Sequence, residues 1–351
     1  MIKSNHSKFI LLFFTVSIFS ISCKLGDDKA STTYGSGVYI LNQGQYPNGA
    51  GDVSVYNRTS GTVANDLFST ANGFKLGNVV QSMINFYGTN YVVVNNANRI
   101  YTADSKTFLF KGNVILDATY PRYMLGIDTG RIYISSWGKG AGDSSLLIFK
   151  PNTFTVTAKI NTGNGPDKMI QDGAFLYVCN SGGLTSDSTV AVIALNGDSL
   201  YNKIQVGLNP NSIVLDASGD VWVLSGGAYS SANGKLVQIK NNAVVLSFNV
   251  PQGSNSLVIN STKNTLYFTG GNAIYQKDLS ATTPSVWVDK PTTTATFSAL
   301  YGLGIDTKTG NIFCADAKNY SSAGTVYIFD STKSLTDSLK TGIIPSNFWF
   351  Q

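Results

Sequence analysis

The sequence predicts an all-β protein, a seven-bladed β-propeller with four antiparallel strands per blade. Three observations predict it: the chain contains no glutamate, a strand-turn-strand phrase recurs along it, and its tail carries the one strand that its head lacks.

The composition excludes a helical fold first. All 20 acidic residues of the 351 are aspartates, beside 35 Gly, 18 Tyr and 19 Phe, and only 13% of the chain is charged. Aspartate favours turns and caps, whereas the good helix formers are scarce and the β-branched and aromatic residues are plentiful. Strands and tight turns are the structure such a chain can build.

The repeat is clearest from Pro166 to Asn180, a short strand, an Asp172-Gly173 turn and a second strand ending in Asn. Copies start at Gln81, Pro121, Pro166, Pro210, Ser254 and Leu300, which are 40, 45, 44, 44 and 46 residues apart. A Gly/Ser/Asn-rich loop and a third strand follow each copy, as in Thr189 to Ile193, and then a more polar fourth strand, as in Lys203 to Val206. Four strands per unit of this length make a propeller blade. Inner strands are apolar throughout because neighbouring blades cover both faces; the outer strand meets water on one side.

The ends supply the count of seven. Gly37 to Asn42 reads as a second strand, Asp52 to Tyr56 as a third and Gly61 to Val63 as the start of a fourth, with no first strand before them. Pro345 to Phe350 matches the first-strand phrase of Pro210 to Leu215. The C-terminal strand therefore completes the N-terminal blade and removes an exposed sheet edge. A β-sandwich or two stacked β-domains is the alternative architecture. In the propeller register Cys179 and Cys314 end second strands three blades apart. That is beyond the roughly 7 Å a disulfide can span, so both act as small buried residues.

Residues 1–22 read as an export signal: Lys3 and Lys8 precede an apolar run from Phe9 to Ile21 that is too short to cross a bilayer. The sequence Ser22-Cys23 after it resembles a bacterial lipoprotein signal, which makes Cys23 the lipidated N-terminus, residues 23–34 a tether and residues 35–351 the propeller. An ordinary secretory signal with an incidental Cys is the other reading. The pair Asp27-Asp28 resembles the signal that sends Bacteroidetes lipoproteins to the outer face of the outer membrane. The membrane is then a partner through a lipid anchor, without a spanning segment.

Residue counts also remove chemistry. The only histidine, His6, lies in the expected signal, so the mature chain has no imidazole for a triad or for a His-ligated metal. No aspartate pair suits glycoside hydrolysis. The formal charge of +5 becomes 5 − 2 = +3 without Lys3 and Lys8 and is spread along the chain, so no nucleic-acid partner is expected. Catalytic residues, metals and cofactors are all expected to be absent.

A ligand site is expected where the loops from second to third strands share a face with the starts of the first strands. The candidates there are Asn42, Asn95, Arg122, Trp137, Lys168, Asn180, Asn211, Tyr229, Asn255 and Tyr301, with Gln43, Asn96, Tyr320 and Asn347 on the same face. Aromatic faces with amide donors and acceptors suit a large, polar, largely uncharged ligand. Asn42, Asn95 and Asn180 recur at one blade position and also suit a purely structural role at strand ends. Arg122 stands where other blades have Asp167, Asn211 or Asn255, and pairing with a neighbouring blade's aspartate is its structural alternative. Trp137 and Tyr229 fall in Gly-rich loops expected to be exposed. Gly138 to Gly142 lacks the strand-to-helix context of a phosphate loop. Asp128, Asp172, Asp216 and Asp306 are expected in turns on the opposite face.

The blade phrase, with Leu176-Tyr177-Val178-Cys179-Asn180-Ser181-Gly182-Gly183, resembles the surface-layer or quinoprotein-dehydrogenase-like propellers. Val38 to Gly44, Asn65 to Ser69, Asn72 to Gly77 and Val92 to Asn98 together resemble a Bacteroidetes lipoprotein propeller family. Its relatives include surface cobalamin-binding lipoproteins of the vitamin B12 uptake system. The resemblance implies a cell-surface protein that captures a small-molecule nutrient, such as a corrinoid (cobalamin), for a TonB-dependent outer-membrane transporter, without transforming it. A protein- or glycan-binding scaffold and a propeller enzyme of lactonase or lyase type are the competing readings.

Overall fold

In the strand Val38–Asn42 every side chain is buried, and alternate residues serve different neighbours. Tyr39 and Leu41 join one apolar cluster with Val80 and Val92, while Val38 and Ile40 join another with Phe313 and Val326. The strand Phe175–Asn180 divides in the same way: Leu176 and Val178 meet Tyr133 and Leu146, and Tyr177 and Cys179 meet Val221 and Val237. A strand that buries both faces needs a sheet on each side. Here those sheets are the adjacent blades.

The computed structural model describes residues 1, 33–34, 37–117, 119–140, 142–228, 233–289 and 300–351. The predicted signal, Cys23 with its tether up to residue 32, and Tyr229 lie outside the described residues. Within them the chain forms seven four-stranded antiparallel sheets arranged in a ring. Seven apolar clusters, one per interface between neighbouring blades, make up the core. Fourth strands are largely exposed, as Ser199–Gln205 is, because nothing packs outside them.

Closure happens as the sequence predicts. Pro345–Phe350 pairs antiparallel with Val38–Asn42, placing Phe350 opposite Val38, Trp349 opposite Tyr39 and Phe348 opposite Ile40. The closing strand is thus the innermost of the first blade, in the order Pro345–Phe350, Val38–Asn42, Asp52–Asn57, Thr62–Ala64. It also packs against the innermost strands on either side, Leu300–Ile305 and Val80–Phe86, so the inner wall is continuous. The fit is close: a methyl group on Gly302 would overlap the Ser346 carbonyl oxygen, and one on Gly304 would stand 2.8 Å from the Phe348 and Phe350 rings.

One element departs from the all-β expectation, a single-turn helix at Leu67–Asn72 between the first and second blades. Asp52 holds it in place, accepting hydrogen bonds from the Phe68 N–H at 2.9 Å and the Ser69 N–H at 3.0 Å. Phe68 is fully buried and packs edge-on against Tyr101 at 5.6 Å between centroids. Tertiary burial rather than propensity makes this turn helical. Cys179 and Cys314 are free and buried, and burial pushes both thiols up.

Two outcomes follow from these contacts. Gly302→Ala should destabilise the protein by roughly 1 to 3 kcal/mol through overpacking, read as a lower urea midpoint; an unchanged midpoint would mean that the closing strand is not seated there. In the native protein Cys179 and Cys314 should resist a thiol-reactive dye until the chain unfolds. Rapid native labelling at either would contradict their burial.

Candidate functional site

The site is built by an irregularity repeated seven times. Each innermost strand slips its pairing by one residue near its start, between Val80 and Ser82, Pro121 and Met124, Pro166 and Met169, Pro210 and Ser212, Asn255 and Val258, and Leu300 and Gly302, and again where Ser346 is skipped in the closing strand. A bulge of this kind drops a residue out of the ladder and re-aims its side chain. The skipped residues include Gln81, Arg122, Tyr123, Asp167, Lys168, Asn211, Ser256, Tyr301 and Ser346, and all of these line one cavity of about 100 Å³. All seven blades contribute to this throat, at the end of the ring where the first strands begin.

A wider cavity of about 460 Å³ shares Gln43, Gln81, Arg122 and Tyr301 with the throat and adds Gln45, Tyr46, Asn95, Tyr320 and Ser321. It forms a vestibule. Tyr46 is 69% exposed and Tyr320 45% exposed. Tyr320 meets Tyr301 edge-on at 5.8 Å, and the Tyr301 hydroxyl donates to Gln43 Oε1 at 3.4 Å.

Hydrogen bonds tie the throat wall together across blade boundaries. Arg122 Nη1 donates to Gln81 Oε1 at 2.5 Å, and Arg122 Nη2 faces Asp167 Oδ2 at 3.4 Å. Gln81 Nε2 donates to the Tyr123 hydroxyl at 3.2 Å, Asn347 Nδ2 to the Gln81 carbonyl at 2.8 Å and Asn211 Nδ2 to the Ser254 carbonyl at 2.9 Å. Ser181 Oγ adds a donor to Asp167 at 3.3 Å. Burial dominates the titrations: it pushes the Tyr123 phenol up, with Asp167 adding to the rise, and it lowers Lys168, with Asp167 opposing. The Lys168 ammonium lies 5.6 Å from the centre of the Tyr123 ring.

Five of the ten residues singled out from sequence, Arg122, Lys168, Asn211, Asn255 and Tyr301, line the throat, and Asn95 lines the vestibule with its amide donated to the Pro121 carbonyl at 3.0 Å. Asn180 is fully buried, donating to the Thr162 carbonyl and to Thr189 Oγ1, both at 2.9 Å. Asn42 is buried as well, bonded to Ser54 Oγ at 2.8 Å, and borders a separate cavity with Asn65 and Thr341. Trp137 is not the exposed loop aromatic that the sequence suggested. It is half-buried, with the Arg122 guanidinium stacked 4.0 Å above its ring and Gly183 packed against it. The room for the indole comes from Gly183 in the loop of the next blade, where a side chain would crowd the ring. Tyr229 lies outside the described residues.

The throat residues overlooked in the sequence are Gln81, Tyr123, Asp167, Ser256 and Ser346. Their signal is positional: each stands within the first three residues of a first-strand phrase. A further cavity of about 490 Å³ lies between the second and third blades, lined by Phe86, Tyr87, Tyr91 and Phe154. It draws on two blades, whereas the throat draws on all seven.

Arg122→Ala should lower stability by about 1 to 3 kcal/mol, since it removes a charge-assisted bond and leaves the buried Asp167 without its cation. Arg122→Lys should recover only part of this, because an ammonium cannot stack on Trp137 while bridging Gln81 and Asp167. Urea unfolding of both variants checks the order, and equal stability of all three proteins would contradict it.

The family described as Domain of unknown function (DUF5074) matches residues 36–350. No curated protein matches the chain. Among solved structures, a quinonprotein alcohol dehydrogenase-like protein from Bacteroides thetaiotaomicron VPI-5482 is similar over 91% of this chain and 79% of its own, at 16% identity and a TM-score of 0.66. A functionally unknown protein from Desulfotomaculum acetoxidans DSM 771 is similar over 90% and 98%, at 9% identity and a TM-score of 0.63. Virginiamycin B lyase from Staphylococcus aureus is similar over 74% and 83%, at 10% identity and a TM-score of 0.56. At these identities the likeness is one of fold.

Proposed function

The chain belongs to the DUF5074 family, and from that premise we propose that this seven-bladed propeller is a binding protein, which captures a large polar nutrient at the vestibule and throat without transforming it. The observation that carries the reading is the vestibule itself, where Tyr46 and Tyr320 stand exposed amid Gln43, Gln45, Gln81 and Asn95. Tyrosine faces supply contact area at low entropic cost and amides supply both donors and acceptors, which suits a ligand rich in amides or hydroxyls. The corrinoid implied by the sequence resemblance has that character. Asp167 is the only carboxylate lining the throat among the described residues, and Arg122 already engages it, which leaves no second carboxylate for acid–base chemistry.

In this reading Cys23 carries lipid on the outer membrane and the segment after it serves as a tether. Tethering raises the local concentration of captured ligand beside a TonB-dependent transporter, which performs the energetic work. A docking scaffold for protein or glycan is the alternative, and co-purification from membranes separates the two: a transporter favours uptake, an adhesin or a polysaccharide favours scaffolding.

Calorimetric titration with cyanocobalamin should give saturable binding. Tyr320→Ala and Tyr46→Ala should each weaken it about tenfold with the melting temperature unchanged, the loss expected when an exposed aromatic contact is truncated. Absence of saturable heat would remove the corrinoid; unchanged affinity in both variants would remove the vestibule as its site.

A further inference from the structure

We propose that the throat is an oxyanion subsite, in which Lys168 receives a carboxylate or phosphate-ester group of the ligand while the ligand's body stays in the vestibule. The inference rests on the mouth of the ring being the binding site and adds the chemical group that the site selects.

The charge inventory leads to it. Three charged side chains line the throat, Arg122, Asp167 and Lys168, for a sum of 2 − 1 = +1. The negative charge is already engaged, since Asp167 Oδ2 faces Arg122 Nη2 at 3.4 Å and accepts from Ser181 Oγ at 3.3 Å. Arg122 is engaged too, bonded to Gln81 and stacked on Trp137. Lys168 Nζ makes no hydrogen bond or ion pair among the described residues, and its recorded neighbour is the face of Tyr123 at 5.6 Å. The ammonium is half-buried, and the one carboxylate that acts on it, Asp167, is already bonded to Arg122 and Ser181, so part of the hydration it gives up in the throat is not returned by the wall. The depression of its pKa by burial has the same origin.

An oxyanion would supply the missing partner, and the size of the throat limits what can enter. A volume of about 100 Å³ is small, suited to a few waters or to one carboxylate or phosphate headgroup. The titratable groups that act on Lys168 are Asp167, Arg122 and Cys179, with Tyr123 beneath it. Burial holds the Cys179 thiol and the Tyr123 phenol protonated, so among the described residues Asp167 is the anion that acts on the ammonium. The other throat residues are neutral amides and hydroxyls, which can orient an oxyanion without competing for the cation.

Isothermal titration of the purified protein with sulfate tests this, because sulfate keeps its charge across the pH range and any pH dependence then belongs to the protein. Saturable binding is expected, weakened about tenfold or more in Lys168→Met, the loss of a charge-assisted contact. Asn211→Asp, which adds a carboxylate to the same wall and leaves Lys168 in place, should weaken it similarly and decides the matter if Lys168→Met does not fold. Affinity should fall as pH rises through the lowered Lys168 pKa, because the neutral amine no longer attracts the anion. Methyl phosphate and acetate, titrated separately, distinguish a phosphate ester from a carboxylate. The proposal is overturned if none of the three anions binds saturably, or if Lys168→Met or a well-folded Asn211→Asp binds sulfate as the unmodified chain does. Cobalamin binding that sulfate does not displace would overturn the subsite and leave the vestibule reading intact; sulfate binding without cobalamin binding would do the reverse.

Discussion

A single antiparallel ladder, between Pro345–Phe350 and Val38–Asn42, joins residues more than 300 positions apart and turns a row of sheets into a ring. Without it the second strand of the first blade would present an unpaired edge, and the apolar clusters on either side of that blade would each lose a wall. The ladder also completes the throat, because Ser346 and Asn347 arrive on the closing strand. Closure and site formation are therefore one event. The close approach at Gly302 and Gly304 shows how little slack the ring allows where the chain's two ends meet.

Around that ring the first strands break their own ladders at one level. A regular strand paired on one edge and packed against its neighbours would send alternate side chains into the blade interfaces. The slipped pairing gives each blade one or two residues that turn to the axis instead of into the ladder. Together these residues from seven blades make a polar aperture inside an otherwise apolar body, stitched by Arg122, Gln81, Asn347 and Asn211 across the blade boundaries. Because the donors and acceptors of the wall mostly satisfy one another, Lys168 stands out by chemistry as well as by position.

The architecture was legible because a blade is a local unit. Strand, Asp-Gly turn and strand lie within about 20 residues of one another, and apolar runs such as Val190 to Ile193 reveal burial on both faces before any coordinates are consulted. The site was half legible. Arg122 was visible as one of only four arginines, at a position where other blades have Asp167, Asn211 or Asn255, and Lys168, Asn211, Asn255 and Tyr301 as cationic, amide and aromatic residues on the candidate face. Gln81, Asp167 and Ser346 were passed over although they hold equivalent places in the phrase, because the one-residue slip that turns this position to the axis shows only in the strand pairing. Trp137 was misjudged for a related reason: a Gly-rich loop reads as exposed, while Gly183 of the next blade and the Arg122 guanidinium on the first strand of its own blade cover the indole. The turn at Leu67–Asn72 is helical because Phe68 is buried and Asp52, 16 residues upstream, accepts its N–H, a contact made only in the folded chain.

What the sequence by itself determined is the fold: the period, the strand order and the exchange of a strand between head and tail, all of which follow from short-range alternation and turn chemistry repeated along the chain. The tertiary structure alone decided which side chains face the axis, which of them cancel one another's charge, and that a vestibule and a throat share a wall. The physical reason is that orientation about a common axis depends on the register between strands and on contacts between blades about 45 residues apart. Those relations exist only once the ring is closed.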